Sequence, residues 1–170
     1  MKNVNFRTDI LPLKNVLYRL ALRITMSHED AEDIVQDTLM KVWNRRETLE
    51  SVDNIEAYTL TICRNLALDK LKRADQGNVS LDEMETYQQP AHNGTAERVV
   101  LNDRMATVRR LIDSLPEKQR SAMQLRDIDG KSYKEIAQIL QITEEQVKVN
   151  IFRARQTVKQ RFKETEQYGL

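Results

Sequence analysis

Residues 132–162 read SYKEIAQILQITEEQVKVNIFRARQTVKQRF, and this stretch decides the fold. A short amphipathic helix, a three-residue turn and a longer basic helix follow one another, the layout of a helix-turn-helix whose second helix enters a DNA major groove. Val147, Ile151, Ala154, Val158 and Phe162 recur at mixed three- and four-residue spacings and form one apolar stripe. Lys148, Phe152, Arg153, Gln156 and Lys159 fall outside it. Such a helix has one side for a core and another for an anionic partner. Gln141 stands in the turn, where a positive φ would leave a non-glycine residue mildly strained.

Helix starts can be read outward from this pair. Ser132 with Glu135 opens its first helix and Thr143 with Gln146 its second, each side chain satisfying an orphan amide of the first turn. Ser114 with Glu117 is expected to cap a preceding helix whose first turn accommodates Pro116, and Asp129-Gly130 to end it. Further back, Val99, Met105, Val108 and Leu111 carry a helical period.

The first half repeats the pattern. Val16 to Ile24 forms a helix core, Ser27 with Asp30 opens a second helix reaching about Arg46, and a third covers about Ile55 to Arg73 with Leu60, Ile62, Cys63, Leu66, Ala67 and Leu71 as its apolar positions. Ile34, Val35, Leu39, Val42 and Trp43 are expected to face inward on the second helix, leaving Asp33, Gln36, Asp37 and Met40 outward. Between the halves the period fails. Gly77, Ser80, Gln88, Gln89, Pro90, Asn93 and Gly94 sit among acidic Asp82, Glu83 and Glu85, a linker composition. The expected fold is all-α: two small helical domains, residues 1–73 and 96–170, joined by a flexible acidic linker over 74–95, with the helix-turn-helix in the second.

Composition agrees. A chain of 170 residues with 40% apolar content supports small cores but gives no reason to expect a single large one. The net charge of +1 hides an asymmetry: residues 28–38 carry Glu29, Asp30, Glu32, Asp33 and Asp37 without a Lys or Arg, while residues 148–163 are basic. Cys63 is the only cysteine, which excludes an intrachain disulfide and reads as a small core residue. Nothing approaches the roughly 20 apolar residues of a membrane span, so no direct membrane insertion and a cytoplasmic location are expected. His28 and His92 lack partnering cysteines, and no glycine-rich nucleotide loop occurs. No catalytic group, metal or cofactor is therefore expected.

At this point the residues carry a family resemblance. HEDAEDIVQDTLMKVW at 28–43 and ICRNLALDKLKR at 62–73 resemble domain two, and LPEKQRSAMQLRDIDGKSYKEIAQIL at 115–140 with VKVNIFRAR at 147–155 resembles domain four, of the extracytoplasmic-function (ECF) sigma factors of bacterial RNA polymerase. The resemblance implies that Asp33, Gln36, Asp37 and Met40 bind the β′ clamp helices of core polymerase, with the β flap as a second contact. It implies that Asn65 captures a flipped base of the minus-ten element while Arg64, Lys70, Lys72 and Arg73 neutralise phosphates. It assigns reading of the minus-thirty-five duplex to Lys148, Val149, Phe152 and Arg153, and attraction of the DNA backbone to Arg155, Lys159, Arg161 and Lys163. An anti-sigma partner, one able to hold the protein at the inner membrane, is also implied.

The chain departs from the pattern in places. Where many relatives read WLYRIARN, residues 58–65 are YTLTICRN, so Tyr58 replaces a tryptophan and Thr61 an arginine. Val149 stands where serine is common, and Gln141 where glycine is. Two domains on a linker are also expected to pack together without DNA and hide both DNA-facing surfaces. The competing readings are a stand-alone helix-turn-helix regulator, which leaves the acidic helix unexplained, and a sigma-like antagonist that binds polymerase without opening promoters.

Overall fold

The structure, a computed structural model, describes residues 3–76 and 96–168, and every regular element among them is helical. Residues 1–2, 77–95 and 169–170 lie outside the described residues, and with them most of the expected linker, including Asp82, Glu83 and Glu85.

The first domain is built on α1 (Lys14–Thr25), α2 (His28–Asn44) and α3 (Ile55–Gln76). Short helical turns at Phe6–Ile10 and Leu11–Leu13 precede them, and Arg46–Ser51 joins α2 to α3. The α1 helix stops because Met26 turns left-handed (φ 57°, ψ 24°) while its N–H reaches the Leu22 carbonyl at 2.8 Å. Ser27 then accepts from the Asp30 amide at 3.2 Å and starts α2. Leu17, Leu20, Ala21 and Ile24 of α1, Ala31, Ile34 and Val35 of α2, and Ala57, Leu60, Cys63 and Ala67 of α3 form the centre of the core. Alanines at four of these positions let the helix axes approach closely. Burial pushes the Cys63 thiol up to about 12, and its Sγ–H points at the Leu17 carbonyl, so this cysteine is a core residue as expected. The α3 helix runs through Gln76, three residues past its expected end.

The second domain contains α4 (Ala96–Asp113), α5 (Glu117–Met123) continued by a wide turn over Gln124–Ile128, α6 (Tyr133–Leu140) and α7 (Glu144–Tyr168). Two of its predicted caps close reciprocally: Ser132 with Glu135 at 3.1 and 2.9 Å, and Thr143 with Gln146 at 3.1 and 3.0 Å. Gln141 is left-handed, φ 56° and ψ 46°, as the turn requires. The expected cap of Ser114 with Glu117 does not form. Pro116 holds the N-cap position, Ser114 donates back to the Leu111 carbonyl, and Glu117 is engaged elsewhere. The apolar stripe of α7 is buried at Val147, Ile151, Ala154 and Val158, the last two packing with Ile112 and Leu115. Of the residues that carry the period of α4, Val108 and Leu111 pack beside Ile112 and Leu115 against α7, while Val99 and Met105 are exposed.

The two domains share one continuous core. The α3 helix lies along α6 and α1 against α5, so Ala122, Leu125, Ile136, Ile139 and Leu140 belong to the same buried cluster as Leu17, Leu60 and Cys63. Composition had suggested separate small cores. Sequence periodicity reports which face of a helix is apolar but not which partner covers it.

Backbone hydrogen bonding by Ser132 holds the Glu135 carboxyl below the usual carboxylate range, against partial burial and with help from Asn54. A depressed folded pKa stabilises above the unfolded value and loses that contribution as pH falls through the folded one. Ser132→Ala is expected to cost about 1 kcal/mol of unfolding free energy at neutral pH. The stability difference between the wild type and Glu135→Ala should be largest near neutrality and shrink with acid, read from urea midpoints across a pH series.

Candidate nucleic-acid interface

The C-terminal surface is carried by α7. With its apolar stripe turned into the core, Lys148, Val149, Phe152, Arg153 and Lys159 are all exposed, Phe152 at 63% and Val149 at 45%. A shallow groove along this side is lined by Phe152, Arg155, Gln156, Lys159, Gln160 and Lys163. The exposed Phe152 stands there among cations and amides, a mixture suited to an anionic partner that also offers an apolar contact. The start of α7 is steadied by Tyr133, whose ring lies under the Arg126 guanidinium at 4.3 Å and the Lys148 ammonium at 5.6 Å. Arg155 differs from its neighbours: its Nε meets Asp127 Oδ2 at 3.0 Å and its Nη2 the other oxygen. That pairing raises its pKa and leaves it less available to phosphate than Lys159.

The N-terminal candidates lie on α3, and the structure separates them. Asn65, Lys72 and Arg73 are exposed. Lys70 sits between Asp33 Oδ2 at 3.3 Å and Asp30 Oδ1 at 3.4 Å, so an expected DNA contact is tied to an expected polymerase contact. Partial burial works against its charge, but the two carboxylates outweigh it and raise the Lys70 pKa. Arg64 is buried, with 5% of its surface exposed, and forks onto Glu117 of α5, Nε to Oε1 at 3.0 Å and Nη2 to Oε2 at 2.9 Å. The domains do pack together, yet the expectation that both DNA-facing surfaces would be hidden is corrected: α7 stays open and Arg64 is covered. Tyr58, in place of the usual tryptophan, packs against the cluster of Ile10, Val42 and Leu49.

On α2, Asp33, Gln36, Asp37 and Met40 share the exposed side, Met40 at 64%. Trp43 was expected in the core but is 46% exposed. Val42 takes the inward position, and Trp43, one residue on, swings about 100° round the helix to the surface. Its ring meets Phe6 edge-on at 5.1 Å and lies under Arg46 at 4.4 Å. Phe6, Leu39, Met40, Trp43 and Asn44 line a shallow apolar depression there. The spacing of Met40 and Trp43, three apart, was the signal available in the sequence for that patch. Asn54 was missed as well: its side chain caps α3 by accepting from the Ala57 amide at 2.9 Å and donates across the domains to Glu135 at 3.2 Å. Asparagine before a helix signals the first role, and nothing local signals the second.

Among the described residues no helix is long and apolar enough to cross a membrane.

Comparison with known proteins supplies the family. Residues 10–76 match sigma-70 region 2 and residues 105–158 match sigma-70 region 4. The chain is 32% identical over 146 residues to the ECF RNA polymerase sigma factor SigE of Mycolicibacterium smegmatis, covering 84% of this chain and 56% of that protein. It is 28% identical to the RNA polymerase sigma-H factor of Pseudomonas aeruginosa, covering 88% of this chain and 83% of that one. With the ECF sigma factor SigL of Mycobacterium tuberculosis it shares 32% identity, covering 78% of this chain and 75% of SigL. Among solved structures, the sigma factor RpoE of Bartonella quintana in complex with the anti-sigma factor NepR superposes with a TM-score of 0.74 at 26% identity, covering 91% of this chain and 94% of that one. CnrH in complex with the cytosolic domain of CnrY shares the fold, with a TM-score of 0.62 at 21% identity over 88% of this chain and 82% of that one. With both sigma-70 regions present in order and relatives of this similarity over most of its length, the chain belongs to the ECF family of RNA polymerase sigma factors.

Proposed function

We propose that this protein directs core RNA polymerase to specific promoters and assists strand opening at initiation. The observation that carries the reading is the coexistence in one chain of an exposed acidic and apolar face on α2 with an exposed basic face around Phe152 on α7. A stand-alone regulator has use for the second face only. In this reading residues 1–73 bind core and the minus-ten element, residues 96–170 read the minus-thirty-five duplex, and residues 74–95 span the distance between them. The chain supplies binding and positioning, and the bond-forming chemistry is the polymerase's.

Asp33, Gln36, Asp37 and Met40 dock on the β′ clamp helices, and we add Trp43, since its half-exposed ring extends the same apolar patch. The β flap takes the second domain. Lys148, Val149, Phe152 and Arg153 read base edges, Arg155 and Lys159 hold phosphates, and Asn65 takes a flipped base with Arg64, Lys70, Lys72 and Arg73 on the adjoining strand. By analogy with the NepR and CnrY complexes, an anti-sigma factor is the natural regulator, and a membrane-bound one would hold this cytoplasmic protein at the inner membrane.

Asp33→Arg combined with Asp37→Arg should weaken core binding while preserving helicity, because both side chains are exposed. An unchanged dissociation constant for core would remove α2 from the interface. In DNA binding by holoenzyme, Phe152→Ala or Arg153→Ala should reduce discrimination between cognate and altered upstream elements by about 1–3 kcal/mol. Lys159→Ala should instead weaken both DNAs alike and lower the salt slope by roughly one unit. Equal losses on the two DNAs from all three substitutions would reduce Phe152 and Arg153 to backbone contacts.

Reconstituted transcription with permanganate footprinting, on promoters recovered by genomic binding, tests the function as a whole. A defined start and reactive thymines should appear only with core present. Asn65→Ala should diminish the footprint more than duplex binding, since a flipped-base contact exists only after strand separation. Tight core binding with neither transcript nor footprint would support the antagonist reading instead.

A further inference from the structure

We infer that Glu117 is a built-in competitor of promoter DNA: its carboxylate occupies Arg64 as a stand-in for a backbone phosphate, so Arg64 can reach the strand only when the two domains part. The inference rests on the promoter-opening reading of α3. Arg64 is the buried member of its set, while its neighbour Asn65 faces solvent. The guanidinium fork matches a carboxylate and a phosphate in the same bidentate geometry, and Glu117 takes it with two bonds of 3.0 and 2.9 Å. The carboxylate is itself held in place, because Ser121 donates to its Oε1 at 2.8 Å. Glu117 belongs to α5 of the second domain and Arg64 to α3 of the first, so the pair exists only while the domains are together.

The surrounding contacts make closure a matter of charge as well as apolar burial. Arg19 meets Asp129 at 2.8 Å, Arg23 meets Asp113 at 2.9 Å, and Lys131 pairs with Glu56, all across the same boundary. Arg120 adds a bond from its Nη2 to the Ile24 carbonyl at the end of α1, 3.1 Å. Of these groups only Arg64 also belongs to the strand-binding set. Glu117 thus couples domain closure to loss of a phosphate ligand, whereas the other ion pairs only hold the domains closed.

The test uses the full chain without polymerase. Affinity for a single-stranded oligonucleotide carrying the non-template minus-ten sequence is measured beside the distance between fluorophores placed at exposed Glu32 and Gln160. Glu117→Gln should lengthen the distance distribution and tighten oligonucleotide binding about tenfold, the scale of one charged hydrogen-bonded pair. Glu117→Asp, which keeps the charge on a shorter arm, should fall between it and wild type. In an Arg64→Ala background Glu117→Gln should bring no gain in affinity. Asp113→Asn, which breaks the Arg23 pair, should loosen the domains with a smaller gain. Equal gains from Asp113→Asn and Glu117→Gln, or a gain that persists without Arg64, would overturn the competitor role, as would unchanged affinity and distance in both Glu117 variants. Initiation by the wild type with core is run in parallel: its absence overturns the promoter reading, while normal initiation with an inert Glu117→Gln overturns the competitor alone.

Discussion

Burial of α3 is the constraint on which the rest of the structure depends. Ala57, Leu60, Cys63 and Ala67 face α1 and α2, and the same helix runs along α6 of the other domain. Leu66, Leu68 and Leu71 lie partly buried against the common cluster, so apolar residues extend around much of the helix circumference. A helix that is apolar on several sides must be covered on several sides. One small three-helix domain cannot do that alone, and the second domain supplies the missing cover. The position of α6, and through the Gln141 turn that of α7, follows from this contact.

Charge is arranged so that the groups suited to nucleic acid are unequally available. The outer side of α7 presents Lys148, Arg153 and Lys159 without a carboxylate partner among the described ion pairs, while Arg155 is held by Asp127 and Lys70 by Asp30 and Asp33. Exposed pairs of this kind are worth at most about 1 kcal/mol and give way readily to a phosphate. Arg64 is different. Its pair with Glu117 is largely shielded, with 6% of the Arg64 and 20% of the Glu117 side chain exposed, and it joins one domain to the other, so the contact changes together with the domain arrangement. In this arrangement the exposed cations of α7 are open to an anionic partner and Arg64 is not.

The buried polar groups at the domain boundary point the same way. Arg120, 7% exposed, gives Nη1 to the Leu115 carbonyl at 2.9 Å and Nη2 to Ile24, leaving its Nε without a partner. Burial lowers its pKa although Glu117 and Asp113 oppose the shift. A guanidinium placed against the Ile24 carbonyl serves one orphan acceptor at the end of α1 and ties that helix to α5. Bonds of this kind add directional constraints to the orientation that the shared apolar core sets.

Much of this protein is determined by local chemistry and so was legible in its residues. Ser27, Ser132 and Thr143 mark helix starts because a hydroxyl satisfies a first-turn amide wherever the helix ends up, and the stripe from Val147 to Val158 marks a buried face because its period is the helix's own. The outward set on α2 and the basic set on α7 follow from the same periodicity. Tertiary structure alone decided the rest. It exposed Trp43, since Val42 filled the inward position; it drew Glu117 from the expected cap to Arg64; it joined two domains through one core; and it buried one of the arginines expected to meet DNA. Each of these depends on which distant surface covers a given face, and contacts such as Arg64 with Glu117, 53 residues apart, leave no trace in the spacing of neighbours along the chain.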